Sequence, residues 1–476
     1  MSRIAIVGGG LSGVSTAYEL SRLGHRDFVL YEASSRLGGI VETHRQEGFV
    51  IECGADSWVT EKPWARDLAV ELGLEAEIIS SEDAHRRTHL WENGLLEGDQ
   101  LVPMPDGMRM MVPGDLDAID NSPLFSEVAK RAYREEPSRA EEFKTFAAAR
   151  LNGKGDGEDE SVASFVRRHF GDEVTEKVAW PLLAGVFGGD IDKLSTAAVM
   201  PGFLKMEREH GSLVQALQNL QRAGTPTQSV FTSLKNGLQS LIEGMTAAIA
   251  PNAIHLNEPV LSVARSQSGW EVATASCTSS FDKVVIATPV HVSRELLSPL
   301  NPELRNLLDI EATSAVVVAF AFDREASARL TIPEGFGFLV PQTQAATAEP
   351  GLLAATFVNQ KFSHRAPEGC LLLRAFFGGN TAPALLSWPD EELIALAHRN
   401  LSRVLGQLPE PRITLVRRWA LSLPQYTVGH LSRVARIEAI IAECFGLHLI
   451  GNALHGVGLP DMVRQGRNTA TTLISA

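Results

Sequence analysis

Arg3-Ile4-Ala5-Ile6-Val7-Gly8-Gly9-Gly10-Leu11-Ser12-Gly13 is a short apolar run that breaks into glycines. Leu11, Val14, Ala17, Tyr18 and Leu20 then recur at helical spacing, and Gly24 suits a left-handed cap at the end of that helix. Phe28-Val29-Leu30-Tyr31 follows as a second apolar run and closes on Glu32. The order of strand, tight turn, helix and strand predicts a nucleotide-binding unit, and each glycine in it has a physical task. Gly8 lets the chain turn sharply, Gly10 admits a pyrophosphate to the backbone, and Gly13 lets helix and strand approach closely. The helix N-terminus carries the partial positive charge that an anion needs. Glu32 stands nineteen positions beyond Gly13, where a carboxylate accepts hydrogen bonds from ribose hydroxyls. In the continuation Glu32-Ala33-Ser34-Ser35-Arg36-Leu37-Gly38-Gly39, Arg36 offers a fixed guanidinium fork. Gly38 and Gly39 allow the close backbone approach that a second diphosphate contact requires.

Working outward, a chain of 476 residues has room for about three domains and a large core. Its net charge of −14 argues against a nucleic-acid surface, which needs a basic field, so an anionic small substrate would depend on local arginines. Cys53, Cys277, Cys370 and Cys444 show neither disulfide nor metal-ligand spacing, which predicts a reducing compartment and no metal. The fingerprint begins at Arg3 and leaves no room for a leader, so the expected location is cytoplasmic. No run of about eighteen apolar residues occurs, and the stretch from Ala315 to Phe322 has the length and β-branching of a buried strand. Peripheral contact with a membrane surface stays open, and so does the choice between monomer and homodimer.

The run Glu32, Arg36, Gly38, Gly39 resembles the E-x-x-x-R-x-G-G signature of the flavin amine oxidase superfamily, which implies FAD rather than NAD. Other segments are similar to its protoporphyrinogen oxidase family. Gly54-Ala55-Asp56-Ser57-Trp58 is close to G-P-[ND]-S-F, a loop implied to lie along the flavin; Cys53 before it reads as a small buried residue rather than a covalent flavin link. The run from Pro181 to Ser195 matches P-x-x-x-G-[VI]-[YF]-[AG]-G-D-x-x-x-L-S. The resemblance makes Gly185 a wall of the substrate pocket, where any β-carbon would hold a flat macrocycle away. Arg87, with Arg86 as an alternative, matches the arginine implied to bind a propionate, while Phe362 and Leu339 match an aromatic and an apolar contact to the tetrapyrrole. Core packing accounts for both of these equally from residue type alone.

The resemblance also assigns cofactor contacts to Val260, through its backbone to adenine, to Ala287 in a second signature strand, and to Trp419 in R-x-W-x-x-[AS]-[IL]-P-Q-[YF]-x-x-G-H. In the closing motif, Gly451, Asn452, Val457, Gly458 and Leu459 would turn backbone donors toward the flavin pyrimidine. His455 in that loop is a tempting acid or base, but its position varies in the family. Residues 106–222 read as helical, with amphipathic stretches from Phe143 to Leu151 and Val162 to His169 and a polar loop from Gly153 to Glu160.

The expected fold is α/β: a Rossmann-like FAD-binding domain (1–82, 223–297, 441–476), a mixed-sheet substrate domain (83–105, 298–440) and an inserted helical domain (106–222) that is the candidate for membrane contact. The chain has only Tyr18, Tyr31, Tyr133 and Tyr426, and Lys361 is its sole lysine after Lys283. A paired-tyrosine amine cage with a flavin-adjacent lysine is therefore hard to assemble. The implied activity is six-electron oxidation of protoporphyrinogen, or alternatively coproporphyrinogen, with oxygen as acceptor and hydrogen peroxide as product. Water, a backbone carbonyl or spontaneous tautomerisation could each handle the proton.

Overall fold

The computed structural model describes residues 2–96, 98–151, 159–222, 229–341 and 350–475. β1 (Ile4–Val7), α1 (Leu11–Arg22) and β2 (Phe28–Tyr31) form the expected unit. β1 is the central strand of a five-stranded sheet, flanked on one side by β2 and Ile254–His255 and on the other by Lys283–Ile286 and Leu447–Leu449. Every pairing in it is parallel. Strands of such a sheet are covered on both faces and therefore read as continuous apolar runs. Ile4, Ile6 and Leu30 face one core, with Val14, Leu20, Leu68 and Val463, while Ala5, Val7 and Tyr31 face another, with Val284, Ile286 and Ile437. The sheet draws on three distant parts of the chain, so this layer is discontinuous in sequence.

The stretch from Ile254 to Val263 reads in sequence as one strand, but it is divided. Ile254–His255 pairs with β2, whereas Val260–Arg265 pairs antiparallel with Trp270–Thr274 in a separate sheet. Between them Asn257 adopts a φ of 54°, a left-handed conformation that a continuous strand cannot contain.

The second large sheet has seven strands in the order Ile413–Pro424, Ala312–Phe322, Leu371–Phe377, Ala354–Phe357, Gly337–Leu339, Thr88–Leu96 and Gly98–Pro103. It is mixed, because Gly337–Leu339 runs parallel to Thr88–Leu96 while the other pairs are antiparallel. Two-residue alternation gives it a closed and an open face. Val316, Val318, Phe338, Ala355, Ala375 and Phe377 lie on the closed face, packed under Leu393, Leu396 and Leu401 of the helix Asp390–Leu405.

Residues 116–222 are mainly helical. Both expected stretches are helical, as Ala140–Leu151 and Val162–Val174, the latter kinked at Gly171, where φ is 82°; the first is not amphipathic, since it buries Phe143 and leaves Phe146 exposed. Ser126, Ser161 and Ser195 cap helices by accepting from the N–H groups of Ala129, Ser164 and Ala198. The core of this region includes Leu90 and Val102 of the seven-stranded sheet, which ties the helices to the sheet's open side. Most of the polar stretch 153–160 lies outside the described residues. Among the described residues, no helix is long and apolar enough to cross a membrane.

Candidate active site

The glycine loop is built by close approach. A β-carbon on Gly13 would lie 1.9 Å from the Gly8 carbonyl oxygen, and one on Gly8 would lie 2.7 Å from that of Ala287. Gly10 differs, because a β-carbon there would meet nothing within 4 Å. That gap lies at the N-cap of α1, which has no side-chain cap, and the buried Ser12 hydroxyl beside it has no hydrogen-bond partner among the described residues. Glu32 rims the same space: its carboxylate accepts from the Gly9 N–H at 2.7 Å and the Ser34 N–H at 2.8 Å. The N–H groups of Asn257 and Glu258 donate to the carbonyls of Ser34 and Glu32, which brings Val260 to this end of the gap. Arg36 braces the loop, donating to the carbonyls of Leu37, Gly39 and Val41 and pairing with Glu42 at 3.2 Å.

From this gap a continuous line of contacts runs to the open face of the large sheet. A β-carbon on Gly39 would lie 3.2 Å from the Gly10 Cα, and one on Gly54 would lie 2.2 Å from the carbonyl oxygen of the next residue, Ile40, and 3.7 Å from the Trp419 ring. The Trp419 indole N–H donates to the Cys53 carbonyl at 2.8 Å, with the Arg36 guanidinium 5.9 Å above its ring. On the sheet, Leu339, Ala354, Phe376, Val317 and Arg417 form one row in register, and Gly337, Thr356 and Arg374 lie in the next row on that face. Leu339, Thr356, Phe376 and Trp419 are only half-buried, unlike their neighbours on the closed face. The helix Trp180–Phe187 stands over this floor, and a β-carbon on Gly185 would lie 3.5 Å from Leu339 Cδ2.

Thr356 and Phe376 escaped the sequence reading. The alternation in Leu371–Phe377 places Arg374 and Phe376 together on one face, but alternation alone does not say what that face meets.

Other candidates lie elsewhere. Asp56 is buried, and its carboxylate pairs with Lys361 at 2.9 Å and Arg374 at 3.4 Å while accepting from the Ser57 hydroxyl at 2.7 Å. Burial alone would raise its pKa, but Lys361 and Arg374 outweigh that and hold it well below the usual carboxylate range. Of the 54–57 loop, the backbone at Gly54 and Ala55 is therefore the part left to meet a ligand. Phe362 is 1% exposed, and its ring packs near Lys361 and Arg365, at 5.3 and 5.7 Å, so in this structure core packing describes it and stacking on a ligand does not.

Arg87 lines a separate cavity of about 410 Å³ with His89, Met104, Ser122 and Glu334, which neither Gly185 nor Leu339 reaches. It pairs there with Glu334 at 3.3 Å and Asp106 at 3.9 Å, while Arg86 is exposed. Burial pushes the Cys53 thiol up to about 12, which suits a packing residue and not a reactive thiolate.

The closing loop is held by Tyr426. Its hydroxyl donates to the Asn452 carbonyl and accepts from the Gly456 N–H at 2.9 Å, while its ring stacks on His430 at 3.9 Å. Asn452 donates to the Ser422 carbonyl at 2.9 Å, and the Gly451 N–H to Gln465 at 3.2 Å. The N–H groups of Val457, Gly458 and Leu459 have no acceptor among the described residues, and they stand at the N-terminus of the helix Leu459–Ser475. His455 is exposed and paired with Glu438 at 2.6 Å.

A family model described as flavin containing amine oxidoreductase matches residues 11–474. The chain belongs to this family. Coproporphyrinogen III oxidase of Bacillus subtilis (strain 168) is 30% identical over 98% of the chain and 96% of its own length. Chloroplastic protoporphyrinogen oxidase 1 of Arabidopsis thaliana is 28% identical over 98% and 86%. A crystal structure from Exiguobacterium sp. 255-15, of a protein provisionally named protoporphyrinogen oxidase, superposes with a TM-score of 0.83 at 31% identity, covering 99% of this chain and 98% of that one.

The cofactor of this flavin oxidoreductase is FAD, and the unfilled groups of the site fit it. The gap at Gly10 with the orphaned Ser12 hydroxyl would take the pyrophosphate, and Glu32 the ribose. The Val260 edge would meet adenine. The backbone at Gly54 and the Trp419 ring would flank the flavin, and the three orphaned N–H groups at 457–459 would meet its pyrimidine end.

Proposed function

We propose that this oxidase converts a porphyrinogen to the porphyrin, removing six electrons and six protons in three two-electron steps. The observation that carries this reading is that Gly185, with no side chain to bar a ligand, stands beside Leu339 over the half-buried floor of Thr356 and Phe376. Such a mostly apolar face suits a broad, flat ring better than a small amine. Bound FAD would supply the two-electron acceptor, with oxygen as the final oxidant and one hydrogen peroxide formed for each pair of electrons. The chain contributes position: the walls hold the reacting carbon beside the cofactor. Asp56 is a poor base, because two cations hold it ionised and occupy its oxygens. Protons therefore leave through water or backbone carbonyls, or by tautomerisation of the substrate.

The tetracarboxylate coproporphyrinogen III is the favoured substrate, supported by the relatives so named from Bacillus subtilis, Staphylococcus aureus and Propionibacterium freudenreichii. Protoporphyrinogen IX is the second reading, supported by the chloroplast relatives. Arg87 stands in the neighbouring cavity, so it would anchor only a propionate that extends beyond the Gly185 face, exchanging Glu334 and Asp106 for the substrate carboxylate. Four unpaired cysteines support a reducing, cytoplasmic setting. The test is anaerobic addition of coproporphyrinogen III, protoporphyrinogen IX and primary amines to the yellow holoenzyme. Bleaching by a porphyrinogen is expected; bleaching by an amine alone would overturn the reading.

A further inference from the structure

Beneath the loop that carries Gly54, an ionic cluster is closed off from water. Lys361 and Arg374 pair with Asp56 at 2.9 and 3.4 Å, and Arg365 pairs with Glu52 at 3.0 Å. The side chains of Arg365, Arg374 and Glu52 are at most 2% exposed, and those of Lys361 and Asp56 are 10% and 14% exposed. The rings of Phe231 and Phe362 cover Lys361 at 4.5 and 5.3 Å. Arg374 also donates to the Gly54 carbonyl, so the cluster is bonded directly to the loop.

The charges do not balance. Three cations face two carboxylates, and Glu42, whose carbonyl accepts from the Cys53 N–H, is already shared by Arg36 at 3.2 Å and Arg417 at 2.8 Å. Counting that triad, five cations meet three carboxylates. The imbalance shows in unused donors, since Arg365 Nε and Nη1 and Arg374 Nε have no hydrogen-bond partner among the described residues. Burying surplus cations costs stability, and well-packed apolar residues would serve a merely structural role as well or better. An anion is missing from the count, and the reduced flavin is one.

We propose that this cluster sets the flavin's redox poise: its surplus positive charge, transmitted through the loop at Gly54, favours the reduced anionic cofactor over the oxidised neutral one. Lys361, hydrogen-bonded to Asp56 and Ser57, is the positioning residue that tunes this balance. The inference rests on the reading that the Gly54 loop borders the flavin, and it adds a role for side chains that touch neither substrate nor reacting atoms. In a low-dielectric interior a single charge acts over a long reach, so each charge removed changes the equilibrium between oxidised and reduced flavin about tenfold.

The measurement is an anaerobic reductive titration of the FAD holoenzyme against an indicator dye of known potential. Lys361→Met is expected to shift the equilibrium about tenfold toward oxidised flavin, near 30 mV for a two-electron couple. Asp56→Asn shifts it by a similar factor toward reduced flavin, and the double variant K361M/D56N, which preserves net charge, returns to within about threefold of the parent. Shifts in the same direction for the two single variants, or none in either while FAD stays bound, would overturn the proposal. If K361M does not retain FAD, the direction of the D56N shift decides in the same way. The porphyrinogen reading fails separately, when a flavin that the dye reduces is left oxidised by both porphyrinogens.

Discussion

At the scale of single residues, the site is made of groups whose partners are absent and groups whose partners are wrong for a substrate. Arg87 belongs to the second kind, because Glu334 and Asp106 compete for the guanidinium that a propionate would need. Arg87→Ala is expected to raise KM more than it lowers kcat, with a 10- to 100-fold loss in kcat/KM, about 1.5–3 kcal/mol for a charge-assisted hydrogen bond. Glu334→Gln moves the opposite way and lowers KM. Steady-state kinetics on the porphyrinogen checks both, and an unchanged KM in the alanine variant would assign the propionate to another residue. Gly185→Val puts side-chain atoms where even a β-carbon would stand only 3.5 Å from Leu339. It should abolish turnover while FAD stays bound, as judged by the flavin absorbance of the purified protein.

What was legible at this scale follows from locality. Gly13 packs on the carbonyl of Gly8 within the same turn, so the spacing of these glycines is itself the signal. The ion-pair partners of Asp56, Lys361 and Arg374, stand 305 and more positions away, and no local pattern announces them.

Among the elements, the closing loop and the helices that flank it are the most informative. Tyr426 and His430 come from the segment before that loop and pin Asn452, Leu454 and Gly456, leaving the orphaned N–H groups of 457–459 in place. Tyr426→Phe removes a buried hydroxyl that satisfies both a carbonyl and an N–H. It should cost about 1–3 kcal/mol and weaken FAD retention, which thermal unfolding with flavin release would measure.

Burial lowers the His430 pKa from 6.5 to about 4, with smaller effects from Arg433 and His455 in the same direction and from the Leu454 carbonyl and Asp159 in the other. The folded state therefore refuses a proton that the unfolded chain accepts, and stability from this group falls as pH drops from about 6.5 to about 4, then levels off. The loss is at most about 1.4 kcal/mol per pH unit and about 3 kcal/mol in total. Denaturant unfolding between pH 7 and 4 should show this slope in the parent and a flatter one in His430→Asn; equal slopes would remove His430 as the cause. Elements with a strong apolar period were readable, as with the strands of the parallel sheet. The divided strand after Ile254 was not, because one left-handed residue, Asn257, sends its two halves to different sheets.

For the whole molecule, three distant segments assemble the parallel sheet, and the site forms where that layer, the open face of the seven-stranded sheet and the helix Trp180–Phe187 converge. The motifs marked each contributor separately. Their convergence depends on contacts between elements hundreds of residues apart, such as Trp419 on Cys53 and Gly185 on Leu339, which composition and periodicity do not encode. The arrangement leaves one central claim, that a porphyrinogen is the electron donor to the flavin. Mixing the holoenzyme with limiting coproporphyrinogen III under anaerobic conditions tests it directly. Six electrons delivered in pairs should bleach about three flavins for each porphyrin that appears. A flavin that stays oxidised with both porphyrinogens, yet bleaches with an amine, would contradict the account.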